Sequence, residues 1–367
     1  MCRRRSRSPD PFSPDYATAR QRFRVAAHGV GAELAHQPVD GRGPDGEALT
    51  IDVALMGART PERAVVVSSG LHGVEGFIGS AIQLAWLRRL GGGAVAIPAD
   101  TRVVLLHGLN PYGFAWRRRV NERNVDLNRN FLDAEESYRG VPPGYGLVHG
   151  LLNPPRPPDR LDAFPFRAGW AICRHGLQTV TTAVAAGQYD HPDGLFFGGL
   201  EPEESTRLVQ AHYDDWIGTA ATVVHLDLHS GLGRWGRAQL IVEPDQGAYI
   251  NWYREAFRPV RTVLAGEDAP YAARGTMGTW LARRIGAARR CRTAVVEFGT
   301  YSQVRVLAAL RAEQAVRRAG NQSSLRAVAV ARTLMDCFCP NDRGWRQTTV
   351  QVGDRLVEQA LAARVPR

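Results

Sequence analysis

The sequence contains no lysine. All 46 basic residues are arginine, and together with 36 acidic residues they give a formal net charge of +10 over 367 residues. A surface that binds nucleic acid usually combines lysine with arginine, because lysine is an effective plain counter-charge for phosphate. The arginines are also scattered along the chain rather than gathered on one segment. We therefore attribute the charge to a bias of the whole sequence and predict no nucleic-acid partner.

Long apolar runs are missing as well. No stretch approaches the ~20 apolar residues that a membrane-spanning helix requires. The basic start of the chain is not followed by the apolar segment of a secretory signal. These absences predict a cytoplasmic protein with no membrane partner. Five cysteines, an odd number without a metal-binding spacing, favour reduced thiols over disulfides.

The remaining composition is that of a folded chain, with 44% hydrophobic residues. Residues 1–15 are rich in Arg and Pro and predict a disordered basic tail. No linker divides residues 16–367, which favours a single domain. Within it, residues 16–35 and 167–187 have helical patterns. Clustered prolines predict an irregular insertion or lid at about 132–165.

Strand-like and helix-like segments alternate between Leu49 and Leu106. Short apolar runs at Ala64–Ser68 and Thr101–Leu106 enclose a helical pattern at Phe77–Leu90. Such a rhythm is typical of parallel strands joined by crossover helices. The predicted fold class is therefore α/β, a single-domain mixed and mostly parallel sheet flanked by helices.

Three apolar segments end in ionisable residues. Ala64–Val67 leads into Ser-Gly-Leu-His-Gly-Val-Glu-Gly, which contains His72 and Glu75, and two later apolar runs end in His229 and Glu297. Because open α/β sheets form their sites at the carboxyl ends of strands, we expect these side chains to converge. Two His and one Glu with an open fourth position are the ligand set of a catalytic zinc, and the spare Glu suits a general base.

A further motif makes a family resemblance specific. The segment Asp126-Leu-Asn-Arg-Asn-Phe lies between the first His-x-x-Glu pair and the later Asp-x-His-Ser-Gly and Val-Glu-Phe-Gly motifs. In this order the motifs resemble the zinc carboxypeptidase superfamily, which includes the aspartoacylase and succinylglutamate desuccinylase amidohydrolases. The string from Ala186 to Gly199 resembles a less characterised bacterial branch of it. The similarity extends over about residues 45–345.

The resemblance implies a role for each matching residue. His72, Glu75 and His229 would bind one Zn²⁺, and Glu297 would be the general base. Asp126 would orient the His72 ring by accepting a hydrogen bond from the ring nitrogen that does not bind the metal, as carboxylates commonly do for ligating imidazoles.

The same resemblance implies a substrate with a free carboxylate. Asn128 and Arg129 would hold that carboxylate, for which an arginine offers a bidentate fork. Arg119 would stabilise the oxyanion that forms at the scissile carbonyl, with Arg117 and Arg118 as adjacent alternatives.

Carboxypeptidases also close a tyrosine over the substrate. Tyr301 is our candidate for that residue, and Tyr271 and Tyr189 compete with it. Asp227 shares a strand face with His229, and it either supports that ligand or makes a strand-end hydrogen bond.

Together these patterns predict a zinc metallopeptidase or metallo-amidohydrolase. Its substrate would be a peptide or an N-acyl amino acid with a free carboxylate, cleaved at the adjacent amide bond in the manner of a carboxypeptidase. One alternative is an N-acyl amino acid amidohydrolase of the aspartoacylase kind that uses the same site. A second alternative, from another class, is a metal-binding protein that has lost catalysis.

Overall fold

The computed structural model describes residues 10–159, 162–267, 272–320 and 324–366. One sheet lies at the centre of this part of the chain. Its strands are β1 Glu33–Arg42, β2 Ala48–Gly57, β3 Arg63–Ser69, β4 Thr101–His107, β5 Thr222–Ser230, β6 Ala238–Val242, β7 Arg261–Leu264 and β8 Arg290–Phe298.

The strand order in the sheet is β1-β2-β4-β3-β5-β8-β6-β7. The pairs β3–β4, β3–β5, β5–β8 and β6–β7 are parallel. The pairs β1–β2, β2–β4 and β6–β8 are antiparallel. This arrangement confirms the predicted fold class, a mixed sheet with a mostly parallel centre.

Helices cover both faces of the sheet. They are α1 Tyr16–Gly29, α2 Gly76–Gly91, α3 Pro111–Ala115, α4 Tyr145–Leu152, α5 Phe164–His175, α6 Leu177–Ala185, α7 Glu204–Ile217, α8 Ile250–Ala256, α9 Met277–Trp280, α10 Gln303–Arg318, α11 Leu325–Phe338 and α12 Arg343–Ala362. Among the described helices, none combines the length and the apolar character needed to cross a bilayer.

Strand β3 is buried on both faces, as expected for a central parallel strand. Val65 and Val67 belong to one hydrophobic cluster, which includes residues of α1, α2 and α12. Val66 points the other way, into a cluster with Tyr213 and Trp216 of α7. A third cluster packs α4, α5 and α6 against α10 and α11. The sheet is therefore the middle layer of the described structure.

The sheet changes winding direction at β3, because β4 lies on one side of it and β5 on the other. At such a switch point the loops that leave the strand ends diverge and open a crevice. The residues after β3, β5 and β8 line this crevice, so the fold brings the three predicted strand-end segments together.

Several sequence-based boundaries were wrong. The helical pattern predicted for residues 16–35 ends at Gly29 in the structure, and Glu33–Arg42 pairs with β2 as a strand. The helix predicted at 167–187 is two helices, because Gly176 adopts a φ of 83° between them. Glycine takes this left-handed conformation with little strain, and it breaks a helix there.

The proline-rich segment is more regular than predicted. Helix α4 forms within it, because the prolines at positions 142, 143 and 154 flank the helix rather than interrupt it. Part of the predicted tail also differs from expectation. Phe12 is buried in the core in front of α1, whereas residues 1–9 lie outside the described residues.

Candidate metal centre

A tight turn after β3 carries the first two candidate ligands. Gly70 has a φ of 71°, which turns the chain out of the strand, and Gly73–Glu75 forms one 3₁₀ turn before α2. A Cβ added to Gly73 would lie 2.0 Å from the carbonyl carbon of Gly113. The glycine therefore allows this turn to pack directly on α3, with His72 in front of the turn and Glu75 at its end.

The three predicted metal ligands converge. His72 Nδ1 lies 3.0 Å from Glu75 Oε1, and His229 Nδ1 lies 3.0 Å from Glu75 Oε2. The two Nδ1 atoms are 3.1 Å apart. Ligand atoms of a tetrahedral zinc with bonds of ~2.0–2.1 Å are separated by about 3.3 Å, so these distances fit one zinc ion. In the described part of the chain, these residues are the one group of three or more His, Cys, Asp or Glu that is close enough to hold a metal.

The outer nitrogen of each imidazole faces a carboxylate. His72 Nε2 lies 2.9 Å from Asp126 Oδ1, and His229 Nε2 lies 2.5 Å from Asp227 Oδ2. A proton on each Nε2 leaves both Nδ1 lone pairs for a metal, and carboxylates commonly hold the outer nitrogen of ligating imidazoles in this way. Asp126 takes the position that the resemblance implied. For Asp227, the structure favours support of the His229 ring.

Charge within the cluster stabilises the ionised carboxylates. Burial alone would raise the pKa of Glu75, but His72 and His229 hold that pKa well below its usual range. Burial disfavours a positive His229, yet Asp227 and Glu75 raise its pKa well above the ordinary value. A metal would therefore replace a proton here, because only a deprotonated Nδ1 can be a ligand.

Glu297 lies beside the ligands at the end of β8. It pairs in register with His229 on β5, and its Oε1 accepts a hydrogen bond of 2.7 Å from the backbone N–H of Leu232. Burial, with the nearby charge of Glu75, raises the pKa of Glu297 to about 8. The carboxylate is thus a stronger base than an ordinary glutamate, and its orientation is fixed by the loop after β5.

Arg119 reaches the same cluster from the loop after α3. Its Nε donates to Asp126 Oδ2 at 3.1 Å and its Nη1 to Glu75 Oε1 at 3.3 Å. Its Nη2 lies 2.8 Å from His72 Nε2. A ring nitrogen cannot donate to Asp126 and accept from Arg119 at the same time, so these two contacts of His72 are alternatives.

The neighbouring arginines point elsewhere. Arg117 has a φ of 54° and donates to the backbone carbonyl of Pro14. Arg118 is buried and donates to Glu313 at 2.7 Å. Of the three arginines that the sequence left open, the structure places Arg119 at the metal centre.

Asn128 and Arg129 lie on a 3₁₀ turn at the wall of the same pocket. Asn128 Oδ1 accepts from the backbone N–H of Met277 at 3.0 Å, which leaves its NH₂ group as the donor toward a ligand. Tyr189 lies beneath this turn and donates to the carbonyl of Arg129 at 2.7 Å. The structure therefore gives Tyr189 a supporting position and not one over a substrate.

Tyr301 is not brought to the pocket. Its ring packs on Trp235, with ring centroids 4.9 Å apart, and it lies under the guanidinium of Arg305. The following helix α10 does line the pocket, through residues such as Gln303 and Val306, but Tyr301 does not. Tyr271 lies outside the described residues. No lid tyrosine is assigned among the described residues.

Sequence reasoning missed Glu243, which also lines this pocket. It follows directly after β6, is buried, and accepts a hydrogen bond of 2.8 Å from Thr276. Burial raises its pKa. The signal that identified Glu297, an apolar run that ends in an acid, was present in Gln239–Val242 as well.

The rest of the pocket wall is largely apolar. Its non-polar side chains are Val184, Phe196, Leu232, Ile241, Ala265, Ala273, Val295, Val306, Leu307, Leu310 and Phe338. Most of them come from β-strand ends and from α6, α10 and α11. The described residues of the proline-rich segment, 132–159 and 162–165, line no part of the pocket directly, but α4 within it packs beside Val74 in the third hydrophobic cluster.

Comparison with solved structures finds the same fold in distant proteins. One is bovine thrombin-activatable fibrinolysis inhibitor in complex with tick carboxypeptidase inhibitor, at 12% identity and a TM-score of 0.56 over 97% of this chain and 98% of that chain. Another is carboxypeptidase A from Helicoverpa armigera, at 12% identity and a TM-score of 0.50 over 90% of this chain and 75% of that chain. These likenesses confirm the carboxypeptidase-like fold.

The sequence comparisons are consistent with the predicted resemblance to a poorly characterised branch of the zinc carboxypeptidase superfamily. No curated protein matches the chain. A family profile described as protein of unknown function (DUF2817) matches residues 12–352, nearly the whole sequence, and the chain therefore belongs to the DUF2817 family.

Proposed function

We propose that this protein is a zinc-dependent hydrolase that cleaves the amide bond next to a substrate carboxylate, as a carboxypeptidase does. The observation that carries the proposal is one pocket in which His72 Nδ1 and His229 Nδ1 lie 3.1 Å apart, and each lies 3.0 Å from an oxygen of Glu75, beside a buried acid. Asn128 and Arg129 line the same pocket. Ligands, base and carboxylate-binding groups are thus within reach of a single small substrate.

His72, Glu75 and His229 would hold the zinc ion. When bound, zinc supplies a Lewis acid that polarises a carbonyl and lowers the pKa of a water molecule from ~15.7 toward ~7. Glu297 would take a proton from the attacking water and return it to the leaving amine. The hydrogen bond from the Leu232 N–H holds the carboxylate of Glu297 in place for both transfers.

Arg119 would stabilise negative charge on the scissile carbonyl oxygen. Its guanidinium is held beside the ligands by Asp126 and Glu75, so it is positioned before a substrate arrives. A preorganised donor of this kind is worth ~10²–10³ in turnover in other hydrolases.

Asn128 and Arg129 would bind the terminal carboxylate. An amide NH₂ and a guanidinium offer several donors and no competing acceptor, which suits a planar anion. Because Asn128 and Arg129 lie on the wall beside the metal centre, they would limit how far a peptide substrate can extend past the scissile bond. This restriction favours removal of a single carboxyl-terminal residue.

The test is the identity of the released product. N-acetylated dipeptides with varied C-terminal residues are incubated with the zinc-loaded protein, and the products are followed by mass spectrometry. We expect a free C-terminal amino acid, and much slower cleavage of the same dipeptides with an amidated C-terminus. The Glu297→Gln protein, prepared in parallel, controls for a contaminating peptidase.

Two other results would contradict this assignment. Release of acetate with the dipeptide intact would identify an N-acyl amino acid amidohydrolase that uses the same centre. Zinc binding without hydrolysis of any substrate in the panel would favour a metal-binding protein that has lost catalysis.

A further inference from the structure

A second cavity lies apart from the metal-centre pocket. It is formed by the loop that carries Arg117 and Arg118, together with helices α10 and α11, and it has a volume of about 440 Å³ that includes space open to solvent. Within the described ranges of the chain, it shares no lining residue with the metal-centre pocket. Any ligand in it would therefore be distinct from the substrate.

Arg118 is the unusual residue of this cavity. Its side chain is 6% exposed, and its Nε donates to Glu313 at 2.7 Å. Its two terminal nitrogens, Nη1 and Nη2, are buried and have no hydrogen-bond partner among the described residues. Burial of unsatisfied donors on a charged group costs folding free energy, so a ligand that supplied acceptors to these two nitrogens would stabilise the folded protein.

The cavity also has a surplus of positive charge. Arg117 and Arg317 line it with Arg118, whereas Glu313 is the acidic residue of the lining. Burial and the charge of Arg118 lower the pKa of Arg317. The guanidinium groups of Arg117 and Arg317 contact neutral oxygens of the protein, so their charge is not neutralised there.

The other walls are apolar. Trp116 and Val316, together with Ala327, Val330 and Ala331 of α11, complete the lining. An inorganic anion would leave this apolar surface uncovered, whereas an organic anion would cover it with its hydrocarbon body. The lining therefore matches a molecule with one oxyanion group and a small apolar part.

We propose that this cavity binds a small organic oxyanion, a carboxylate or a phosphate ester with an apolar body. Because Nη1 and Nη2 of Arg118 are buried, the proposal requires this side chain to turn both nitrogens into the cavity. There they would donate to the oxyanion as the parallel fork that carboxylates and phosphates fit. The apolar body lies against Trp116 and Val316. The proposal is independent of the function proposed for the metal centre.

The cavity is joined to the metal centre through the main chain. The carbonyl of Arg118 accepts from the N–H of Val74 at 2.7 Å, and the carbonyl of Arg119 accepts from the N–H of Gly73 at 3.2 Å. These bonds connect the arginine loop to the turn that carries Glu75. Because no lining side chain is shared, binding at the two places can be measured separately.

The test is isothermal titration calorimetry with hexanoate and with inorganic phosphate, at constant ionic strength, on the full chain. We expect hexanoate to bind the wild-type protein more tightly than phosphate does. Arg118→Gln should weaken hexanoate at least ~10-fold, the effect of losing hydrogen bonds to a charged group. Arg305→Gln, which changes an exposed arginine of α10 outside the cavity, should leave the affinity unchanged.

Two further variants keep the test decisive. Ala331→Trp retains Arg118 but fills the cavity from α11, so it should also abolish hexanoate binding. Arg129→Gln removes the candidate carboxylate group of the metal-centre pocket and should leave this binding intact. The proposal is overturned if hexanoate does not bind, if binding survives both cavity variants, or if it is lost in Arg129→Gln alone.

Discussion

His229 Nε2 lies 2.5 Å from Asp227 Oδ2, two residues earlier on the same strand. Because side chains alternate along a strand, both residues project from one face of β5, and the carboxylate fixes the imidazole from behind. Ser68 on β3 donates to the other oxygen of Asp227. The His229 ring is thus held with Nδ1 toward Glu75 before any metal binds.

Loss of this support should weaken the metal site without removing a ligand. We predict that Asp227→Asn lowers zinc affinity by ~10–100-fold, as is common for changes in the groups behind ligating histidines. Competition with a chromogenic chelator measures the affinity. Asp215→Asn, at an exposed position of α7, is the matched control. Equal affinities of the two variants would show that Asp227 does not position the ligand.

Glu297→Gln separates catalysis from metal binding. Glutamine can still accept the hydrogen bond from Leu232 N–H, so the fold and the zinc content should be retained. Hydrolysis should fall at least ~100-fold, because the amide cannot take a proton from water. Glu255→Gln on the exposed side of α8 should keep the wild-type rate. Wild-type turnover in the Glu297 variant would refute its role as the base.

Arg129→Met should change substrate preference rather than the chemical step alone. We expect kcat/KM to fall by ~10–100-fold for dipeptides with a free carboxylate, the cost of a lost charged hydrogen bond. The amidated dipeptides should be little affected. Arg343→Met, exposed at the start of α12, serves as the control. A uniform loss on both substrate series would argue against carboxylate recognition by Arg129.

His107 should make stability depend on pH. Burial lowers the pKa of this histidine from 6.5 to about 4, and its ring stacks on Phe23. The unfolded chain then binds a proton more readily between pH 6.5 and 4, so the free energy of unfolding falls as the pH falls through that window. From pH 8 to pH 5 this histidine should account for about 2 kcal/mol of lost stability.

Urea unfolding at pH 8 and pH 5 measures this loss. The His107→Gln protein should be less stable than wild type at pH 8, because a packed ring is removed. Its stability should nevertheless decline less between the two pH values. If both proteins lose the same free energy of unfolding, His107 does not carry the effect.

The convergence of the candidate metal ligands could be predicted because the signals are local. His72 and Glu75 are three residues apart on one turn, and His229 and Glu297 each end an apolar strand. Parallel strands place their carboxyl ends on one edge of the sheet, so sequence order alone implied that these groups meet. The central strands and α2 were recognised by the same local periodicity.

Other features depended on contacts that no local pattern encodes. Glu33–Arg42 is a strand because it pairs with β2, although its first residues continue a helical pattern. The choice among Arg117, Arg118 and Arg119 depended on the path of one loop, including the positive φ of Arg117. Tyr301 was the candidate for the tyrosine over the substrate because it follows Glu297 by four residues in the sequence. In the structure its ring packs on Trp235 instead.

Titration of the metal-stripped protein with zinc is the most direct test of the account. Bound zinc and dipeptide hydrolysis are measured at each addition, for the wild-type chain and for the His72→Ala/His229→Ala double variant. We predict that wild-type hydrolysis rises with bound zinc and reaches a plateau at one zinc per chain, and that the double variant neither retains zinc nor hydrolyses the substrate. Hydrolysis by the stripped chain in the presence of a chelator, or full zinc retention by the double variant, would contradict the proposed metal centre.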